Sequence, residues 1–451
     1  ILIGVFSEDF AESPHSLIEA GHSRYDGVAG GAAEPTVWSA MQLTFDADVE
    51  AFRAEFVEFL DAHRPPDAEL LQRPRSSSDL PDWARRWQRL LFDNGWLVPG
   101  HPPEFGGRNA TVLQQYVHQI ELSRRRMVPS FNTQGVGIIA ASLITFGTNE
   151  QKQQWAIPIL RGEVTAALGM SEPGAGSDLA SLRTRATADG DHFVLNGQKV
   201  WTSSAHKAQM AILVARTNPE VAKHAGLSYF LCNMDAPGVD VRPLRQITGE
   251  AEFNEVYFSD ARIPDEHRLG AVGNGWNVAM TTLMNERSAL GGSGNRRGAG
   301  TIAEAVSLWA SRPDLQTPVL RDRLATLWLR SEAQRLTSER SRAAATVGGP
   351  GPEGSIGKLV GAELNQHVYQ FCMDFLGPEG LLYNGYSFDD DARGESDWRG
   401  PVQQRFLRSR ANTIEGGTSE VMRNILGERI LGLPGDLRAD AGMPWKEIPR
   451  G

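Results

Sequence analysis

The spacing of apolar residues changes twice along the chain, near Thr165 and near Gly275. From about Asp46 the apolar side chains recur at helical intervals, with charged residues on the opposite face. After Thr165, short β-prone runs such as MAILVART and LSYFLCNM follow one another with turn residues between them. Strands without intervening helices pair as an antiparallel sheet or barrel. After Gly275 the helical spacing returns.

This order predicts an α+β, multidomain fold. We expect an N-terminal helical domain at 41–164, a middle antiparallel β-barrel or sheet domain at 165–275, and a C-terminal helical domain at 276–434. A tail follows at 435–451. Residues 1–40 are rich in Gly, Ala, Ser and His, are weakly periodic and precede Met41, so we predict a non-native or disordered extension there.

Two local patterns give more detailed expectations. Asn196-Gly197 lies between two β-prone runs, which is the strongest short-range signal for a β-hairpin turn. The first long helix and the long helix near residue 320 each carry an apolar stripe. The residues expected to face the core are Val49, Phe52, Phe56, Phe59 and Leu60 in the first, and Val319, Leu320, Leu324, Leu327 and Leu336 in the second.

Composition excludes several classes of function. The net charge of −10 argues against a nucleic-acid partner, because no basic excess is available to meet phosphates. Only Cys232 and Cys372 occur, without CxxC spacing, which argues against disulfides and favours a reducing, cytoplasmic location. The histidines lack ligand spacing, so we expect no metal site. The longest apolar runs are too short to span a membrane.

The glycine-rich stretches do not match a nucleotide-binding fingerprint. Gly174-Ala-Gly176 lacks the third glycine, since Leu179 occupies its place, and no βαβ pattern surrounds it. GGSGNRRGAG follows a helix instead of a strand. Walker, HExxH and GxSxG motifs are all missing from the sequence.

Four stretches together resemble the acyl-CoA dehydrogenase family of flavoproteins. They are GMSEPGAGSDLASLRT, NGQKVWTSSA, MNERSAL and TIEGGTSEVMRNILGERILGLP, and the resemblance runs from about Met41 to Pro434. It implies a C-terminal four-helix bundle, an FAD cofactor, an acyl-CoA substrate and no membrane span. It also implies oxidation to a trans-2-enoyl-CoA, with an electron-transfer flavoprotein as acceptor. The expected assembly is a homotetramer or homodimer, with a heteromer as an alternative.

The resemblance assigns cofactor contacts to individual residues. Met170 and Ser171 are expected near the flavin pyrimidine edge, and Ser177 toward the flavin or the acyl-CoA. Trp201 is expected to pack on the isoalloxazine and Ser203 to donate a hydrogen bond to it.

The C-terminal motifs supply further expected contacts. Thr418 and Glu420 open a helix whose start contacts FAD in the family, and Thr418 suits its N-cap. Gly377 and Pro378 lie in FLGPEG, which matches a turn that reaches the FAD of a neighbouring subunit in relatives. Asp374, just before this turn, stands where a glutamine is frequent.

Two glutamates are candidates for the general base. Many relatives place the base directly before Gly-Thr near the C-terminus, but here Gly416 occupies that position and Glu415 lies one residue earlier. Other relatives carry the base on a helix before an arginine, as in Glu286-Arg287. We favour Glu286 over Glu415 and expect the Gly416 backbone N–H to meet the thioester carbonyl. Arg287 and Ser177 are expected to bind substrate.

The sequence also departs from the family. Many relatives have an arginine followed by Phe-Gly after the base helix, and AVSLWASRPDLQTP lacks this pattern. Two alternatives therefore remain beside the dehydrogenase: an acyl-CoA oxidase or flavin monooxygenase on the same fold, and a non-catalytic subunit of a heteromeric dehydrogenase.

Overall fold

The N-terminal part of the chain is helical. The computed structural model describes residues 45–72, 76–290, 297–345, 353–383, 386, 400–435, 437–438 and 440–449, and the predicted extension at 1–40 lies outside them. The described helices before the sheet are α1 (Ala47–His63), α2 (Asp67–Leu71), α3 (Asp82–Asp93), α4 (Val112–Arg124), α5 (Ala140–Phe146), α6 (Asn149–Gln151) and α7 (Ile157–Leu160). Two π-helical turns, Gly135–Ile139 and Lys152–Ala156, lead into α5 and α7.

Aromatic packing holds the first helices together. Helix α1 buries Phe52 and Phe56 against Trp96, with ring centroids 5.1 and 4.7 Å apart respectively. Of the predicted stripe on α1, only Phe59 is half-buried and the other four residues are buried. Helix α4 begins at a capping box, in which Thr111 and Gln114 satisfy each other's backbone N–H groups.

The described strands of the middle region form one eight-stranded sheet. They are β1 (Ala166–Gly169), β2 (Arg185–Asp189), β3 (His192–Ser203), β4 (Met210–Arg216), β5 (Leu227–Asn233), β6 (Val239–Leu244), β7 (Phe253–Pro264) and β8 (Arg268–Leu269). The order is β6-β7-β3-β2-β4-β5-β8, and β1 pairs with β4 off this path. Most pairings are antiparallel, as predicted. The contacts of β4 with β1 and β2 are parallel.

The hairpin predicted at Asn196-Gly197 is wrong, because β3 runs straight through this dipeptide. The turn lies earlier, where β2 ends at Asp189 and β3 begins at His192. The register with β7 shifts between Leu195 and Gly197, so the dipeptide forms a β-bulge. A Cβ at Gly197 would lie 2.6 Å from the Cα of Thr184, which leaves room only for glycine.

In the C-terminal region, the helices among the described residues are α8 (Gly275–Leu290), α9 (Thr301–Ser311), α10 (Pro318–Ala345), α11 (Glu353–Leu376), α12 (Val402–Ser409) and α13 (Ser419–Arg429). Helix α11 is central and contacts α8, α9 and α10. Its buried face includes Val368, Phe371 and Phe375, which pack with Leu324 and Leu327 of α10.

The predicted core stripe of α10 is wrong at two positions. Val319 and Leu336 are 71% and 54% exposed, because the buried side of α10 is narrower than its apolar pattern. Further apolar side chains are exposed in the C-terminal region, including Leu381, Leu382, Ile414, Leu431 and Leu433.

Two properties of the described residues bear on the class of protein. Their helices are all too short or too polar to cross a lipid bilayer. Cys232 and Cys372 are both buried and free.

Candidate functional site

The loop that follows β1 is built around a buried ion pair. Lys199 on β3 is fully buried, and its Nζ lies 2.8 Å from Glu172 Oε1. The same ammonium donates a hydrogen bond to the carbonyl of Met170 at 3.1 Å. Glu172 also accepts from the backbone N–H groups of Arg183 at 2.6 Å and Thr184 at 2.9 Å. One carboxylate therefore holds both ends of the loop formed by residues 170–184, which we call the motif loop.

The charge on Glu172 is maintained by these partners. Burial opposes ionisation, but the charge of Lys199 and the hydrogen bonds from Lys199, Thr184 and Arg183 outweigh it and hold the pKa of Glu172 below its usual value. A carboxylate with these partners positions the backbone of the loop. This role of Glu172 was not predicted from the sequence. The sequence offered one indication of a buried ion pair, because Glu172 and Lys199 each stand among small or apolar neighbours.

Trp201 is the most unusual residue of the sheet. It is 55% exposed and has a left-handed backbone, with φ of 60°. A non-glycine residue is strained in this region and persists only where its surroundings hold it. The edge contact with Phe253, at 5.9 Å between ring centroids and 84° between planes, supports the indole. The result is an exposed aromatic ring in a defined orientation.

A backbone hydrogen bond joins the two motif segments. The N–H of Val200 donates to the carbonyl of Ser171 at 2.9 Å, so Ser171 lies beside the strand segment that ends in Trp201 and Ser203. The structure thus brings Met170, Ser171, Trp201 and Ser203 together, although about thirty residues of sequence separate the two pairs. Ser203 is partly buried, and Ser177 is exposed farther along the loop.

Several features of this region fit a flat cofactor with polar edges. The buried hydroxyl of Thr202 has no hydrogen-bond partner among the described residues. A Cβ at Gly174 or Gly176 would meet no atom within 4 Å, so the loop borders open space. An exposed ring, an unsatisfied hydroxyl and open space beside the main chain suit an isoalloxazine, which stacks and forms hydrogen bonds at its edge.

Helix α8 approaches the same region through a short polar chain. The Tyr229 hydroxyl lies 3.3 Å from Met170 Sδ and 3.3 Å from Thr282 Oγ1 on α8. Thr282 also lies 3.0 Å from the hydroxyl of Ser142 on α5. Position 286 is one helical turn beyond Thr282 on the same face of α8. The side chains of Glu286 and Arg287 lie outside the described residues, although both belong to the helix.

The C-terminal motif loop places Glu415 in an ion pair. Arg408 donates from Nη1 and Nη2 to the two oxygens of Glu415 at 3.0 and 2.9 Å, and Asn412 donates to Oε1 at 2.8 Å. Bidentate pairs of this kind fix the orientation of both groups. Gly416 and Gly417 follow with φ of 63° and 96°, values that favour glycine. Glu415 is therefore directed at Arg408.

Arg408 also reaches the middle domain. Its Nε lies 3.4 Å from Glu252, and its guanidinium lies 5.6 Å from the ring centroid of Phe253, the residue that contacts Trp201. Burial raises the pKa of Glu252, and Arg408 opposes this while the charges of Glu250 and Glu415 add to it. The cluster of Arg408, Glu252 and Glu415 was not predicted from the sequence. Through Arg408 it links the C-terminal loop to Phe253, the residue that contacts Trp201.

A cleft of about 510 Å³ lies at the start of α13. Thr418 caps this helix by accepting from the Val421 N–H at 3.1 Å, as predicted for an N-cap. The buried hydroxyl of Ser419 has no partner among the described residues. The cleft is lined by Glu363, Gln366, His367, Thr413, Ile414, Thr418, Ser419, Glu420 and Arg423. Unsatisfied polar groups at a helix N-terminus suit a ligand with phosphate or ring nitrogen acceptors.

The remaining candidate residues lie at and just after the end of α11, roughly two to three helical turns beyond His367. Asp374 is paired with Arg323 at 2.6 Å and accepts from Gln370. Gly377, with φ of 55°, and Pro378 begin an exposed 3₁₀ turn. The structure does not bring these three residues next to Trp201 or Glu415 within the described part of the chain. Among the described residues, no group of His, Cys, Asp or Glu is arranged to hold a metal ion.

Three family descriptions match successive parts of the sequence. "Acyl-CoA dehydrogenase, N-terminal domain" matches residues 46–163. "Acyl-CoA dehydrogenase, middle domain" matches residues 167–261, and "Acyl-CoA dehydrogenase, C-terminal domain" matches residues 273–431. Together they cover the helical, sheet and helical regions described above.

Individual relatives agree with this. Acyl-CoA dehydrogenase IpdE1 of Mycobacterium tuberculosis is 38% identical over 396 residues, which covers 86% of this chain and 98% of the relative. The solved "Tcur3481-Tcur3483 steroid ACAD" superposes with a TM-score of 0.71 at 30% identity, covering 88% of this chain and all of that one (100%). The ChsE4-ChsE5 complex of M. tuberculosis gives 0.68 at 29% identity, with coverage of 88% and 100%. The chain belongs to the acyl-CoA dehydrogenase family.

Proposed function

We propose that this protein oxidises the α,β carbon–carbon bond of an acyl-CoA thioester to a trans-2-enoyl-CoA, with FAD as its cofactor. The main support is the junction of two motif segments, where the Val200 N–H donates to Ser171 at 2.9 Å. This bond sets Met170 and Ser171 beside the exposed indole of Trp201. Ser171, Trp201 and Ser203 would hold the isoalloxazine, and Thr418 and Glu420 would contact another part of the cofactor.

The reaction needs a base for the α-proton, donors for the developing enolate oxygen and an acceptor for the β-hydride. Bound FAD supplies that acceptor. The residues of the chain do the rest: they orient the acyl group, exclude water and remove the proton. A glutamate has a reference pKa of about 4.3 and becomes a stronger base when a bound acyl chain excludes water from it.

We propose Glu286 as that base. Two observations support it. Thr282, one turn earlier on the same face of α8, contacts Tyr229, which in turn contacts Met170. The rival, Glu415, is engaged by both nitrogens of the Arg408 fork and by Asn412. These hydrogen bonds direct the Glu415 carboxylate at Arg408 and Asn412.

We further propose that the Gly416 N–H donates to the thioester carbonyl. The left-handed backbone of Gly416 and Gly417 turns the chain sharply after Glu415, and a loop of this kind presents N–H groups outward. Donors aimed at the developing oxyanion stabilise the transition state. Ser177 and Arg287 complete the proposed contacts with substrate.

The test is anaerobic flavin reduction by a panel of acyl-CoA thioesters, followed by absorbance. We expect Glu286→Gln to retain FAD and to slow reduction by about 10²–10⁴-fold, as expected for loss of a general base. The matched variant Glu415→Gln should reduce within about tenfold of the wild-type rate, since no proton transfer is lost. The reverse pattern would reject Glu286 in favour of Glu415.

Repeating the reaction with the acyl-CoA panel in air separates the dehydrogenase from the oxidase. Hydrogen peroxide formed in step with turnover indicates an oxidase. If the purified chain does not bind FAD in the absence of other proteins, it is a subunit that completes its site with a partner. The missing arginine and Phe-Gly pattern after α8 favours this second possibility over the first.

For the assembly and substrate class, we infer an oligomer acting on a bulky acyl-CoA. Two solved neighbours at 30% and 29% identity are described as a steroid enzyme of two named chains and as a two-chain complex. The exposed Leu381, Leu382, Leu431 and Leu433 supply an apolar face for a second chain. We also propose an electron-transfer flavoprotein as the electron acceptor. Light scattering on the purified chain tests the assembly, and a steroid-derived acyl-CoA in the panel tests the substrate class.

A further inference from the structure

The last described segment of the chain, residues 440–448, lies on the middle domain. We call it the C-terminal strap. The N–H of Trp445 donates to the Val221 carbonyl at 2.8 Å, and the N–H of Lys446 donates to the Pro219 carbonyl at 3.1 Å. Pro444 forms an isolated antiparallel bridge with Ala222. The strap therefore pairs with the connection between β4 and β5.

One strap side chain covers a buried arginine. Arg216, the last residue of β4, donates to the carbonyls of Ala180 at 2.5 Å and Leu182 at 3.2 Å. Its guanidinium lies 4.2 Å from the ring centroid of Trp445. A cation held over an indole away from water is attracted by the negative face of the ring. Trp445 thus stabilises the arginine that holds the short helical turn Leu179–Ser181 within the motif loop.

A second strap side chain acts on the same loop through a lysine. Lys223 lies in the β4–β5 connection and pairs with Asp178 at 3.0 Å, in the GSD part of the motif loop. It also pairs with Asp440 of the strap at 2.6 Å. Arg216 and Lys223 therefore contact residues 178–182 on one side and the strap on the other.

We propose that the C-terminal strap positions residues 178–182 of the motif loop for acyl-CoA binding. This inference rests on the proposed function, in which Ser177, next to Asp178, contacts substrate. Lys199 and Glu172 fix the two ends of the loop independently of the strap, because Glu172 also accepts from the N–H groups of Arg183 and Thr184. Loss of the strap should therefore weaken the binding of the thioester and leave FAD bound.

The test compares Trp445→Ala and Asp440→Asn with wild type. Trp445→Phe keeps an aromatic face for Arg216, and Leu437→Ala is the matched control, because Leu437 is fully exposed just before the strap. We measure backbone hydrogen exchange of residues 178–182 without ligand, then KM and kcat for the acyl-CoA of the panel that reduces the flavin fastest, with coenzyme A titrated as a binding probe. We expect faster exchange at 178–182 and a KM raised roughly fivefold to thirtyfold, with kcat and FAD content unchanged.

The outcomes are separable. Faster exchange confined to 178–182 in Trp445→Ala, absent in Trp445→Phe and Leu437→Ala, supports the strap. Unchanged exchange there, or faster exchange throughout the sheet, overturns it, as does a kcat that falls with KM unchanged. If the wild type binds no acyl-CoA of the panel and no coenzyme A, the proposed function is in error. The exchange data would still decide whether the strap holds the loop.

Discussion

The loop around Glu172 and the loop around Glu415 use the same device in different settings. Each pairs a motif glutamate with a basic side chain. Lys199 and Glu172 are 0% and 6% exposed and lie within one domain. Arg408 and Glu415 are 33% and 35% exposed, and Arg408 also reaches Glu252 of another domain. The first loop is thus inseparable from the folding of the sheet, whereas the second depends on how two domains meet.

The largest effect should come from breaking the buried pair. Lys199→Met leaves the Glu172 carboxylate without its charged partner in the interior, and we expect the free energy of unfolding to fall by about 3–5 kcal/mol. Urea denaturation measures it. The double variant Lys199→Met/Glu172→Gln, which removes both charges, should recover part of the loss. A loss below about 1 kcal/mol would show that water reaches the pair.

An intermediate effect is expected at the domain junction. Arg408→Met removes charge-assisted hydrogen bonds to Glu415 and Glu252, and we expect a loss of about 1–2 kcal/mol in the free energy of unfolding. Solvent screens the remaining carboxylates, so the loss stays below that of Lys199→Met. Arg262→Met, which breaks an exposed pair with Asp189, is the control and should cost under about 0.5 kcal/mol. Equal losses in the two variants would remove any special role for Arg408.

The smallest effect concerns how the free energy of unfolding depends on pH, because Glu252 and Glu172 should contribute to it with opposite signs. Burial raises the pKa of Glu252 in the folded state, so the folded protein binds this proton more readily than the unfolded chain. Its contribution is present at low pH and is lost as pH rises through the raised pKa. Glu172, with a lowered pKa, behaves oppositely and loses its contribution as pH falls.

Glu252→Gln should therefore gain stability relative to wild type as pH increases from about 4 to 7, by under about 1 kcal/mol. Urea denaturation at a series of pH values measures the difference. Glu447→Gln, on the exposed strap turn, corrects for the loss of one negative charge. A difference that shrinks with rising pH would contradict the raised pKa.

The order of helical and strand regions was predictable from the sequence, because apolar periodicity reports local structure directly. The sequence motifs also predicted cofactor contacts for Met170, Ser171, Trp201 and Ser203. The structure joins the two segments that carry them, and their contacts with FAD stay predictions. The assignment of Asn196-Gly197 as a turn was wrong. Turn propensity competes there with pairing between β3 and β7, and the dipeptide is equally suited to a bulge.

Other features depend on contacts that no local pattern encodes. The Glu172–Lys199 pair forms only when the loop after β1 folds against β3, and the strap only when the tail returns to the β4–β5 connection. The exposure of Val319 and Leu336 has a similar origin. Helical spacing identifies an apolar stripe, but it does not say whether the same chain or another one covers it.

The pairing of β3 with β7 has a consequence for synthesis on the ribosome. Lys199 lies on β3, and β7 ends only at Pro264, so the segment that organises the motif loop lacks its main neighbour until that point of the chain has emerged. Non-local strand pairing of this kind is slow to form. A nascent chain that stalls before β7 therefore leaves one edge of β3, the strand that carries Lys199, unpaired and open to non-native association.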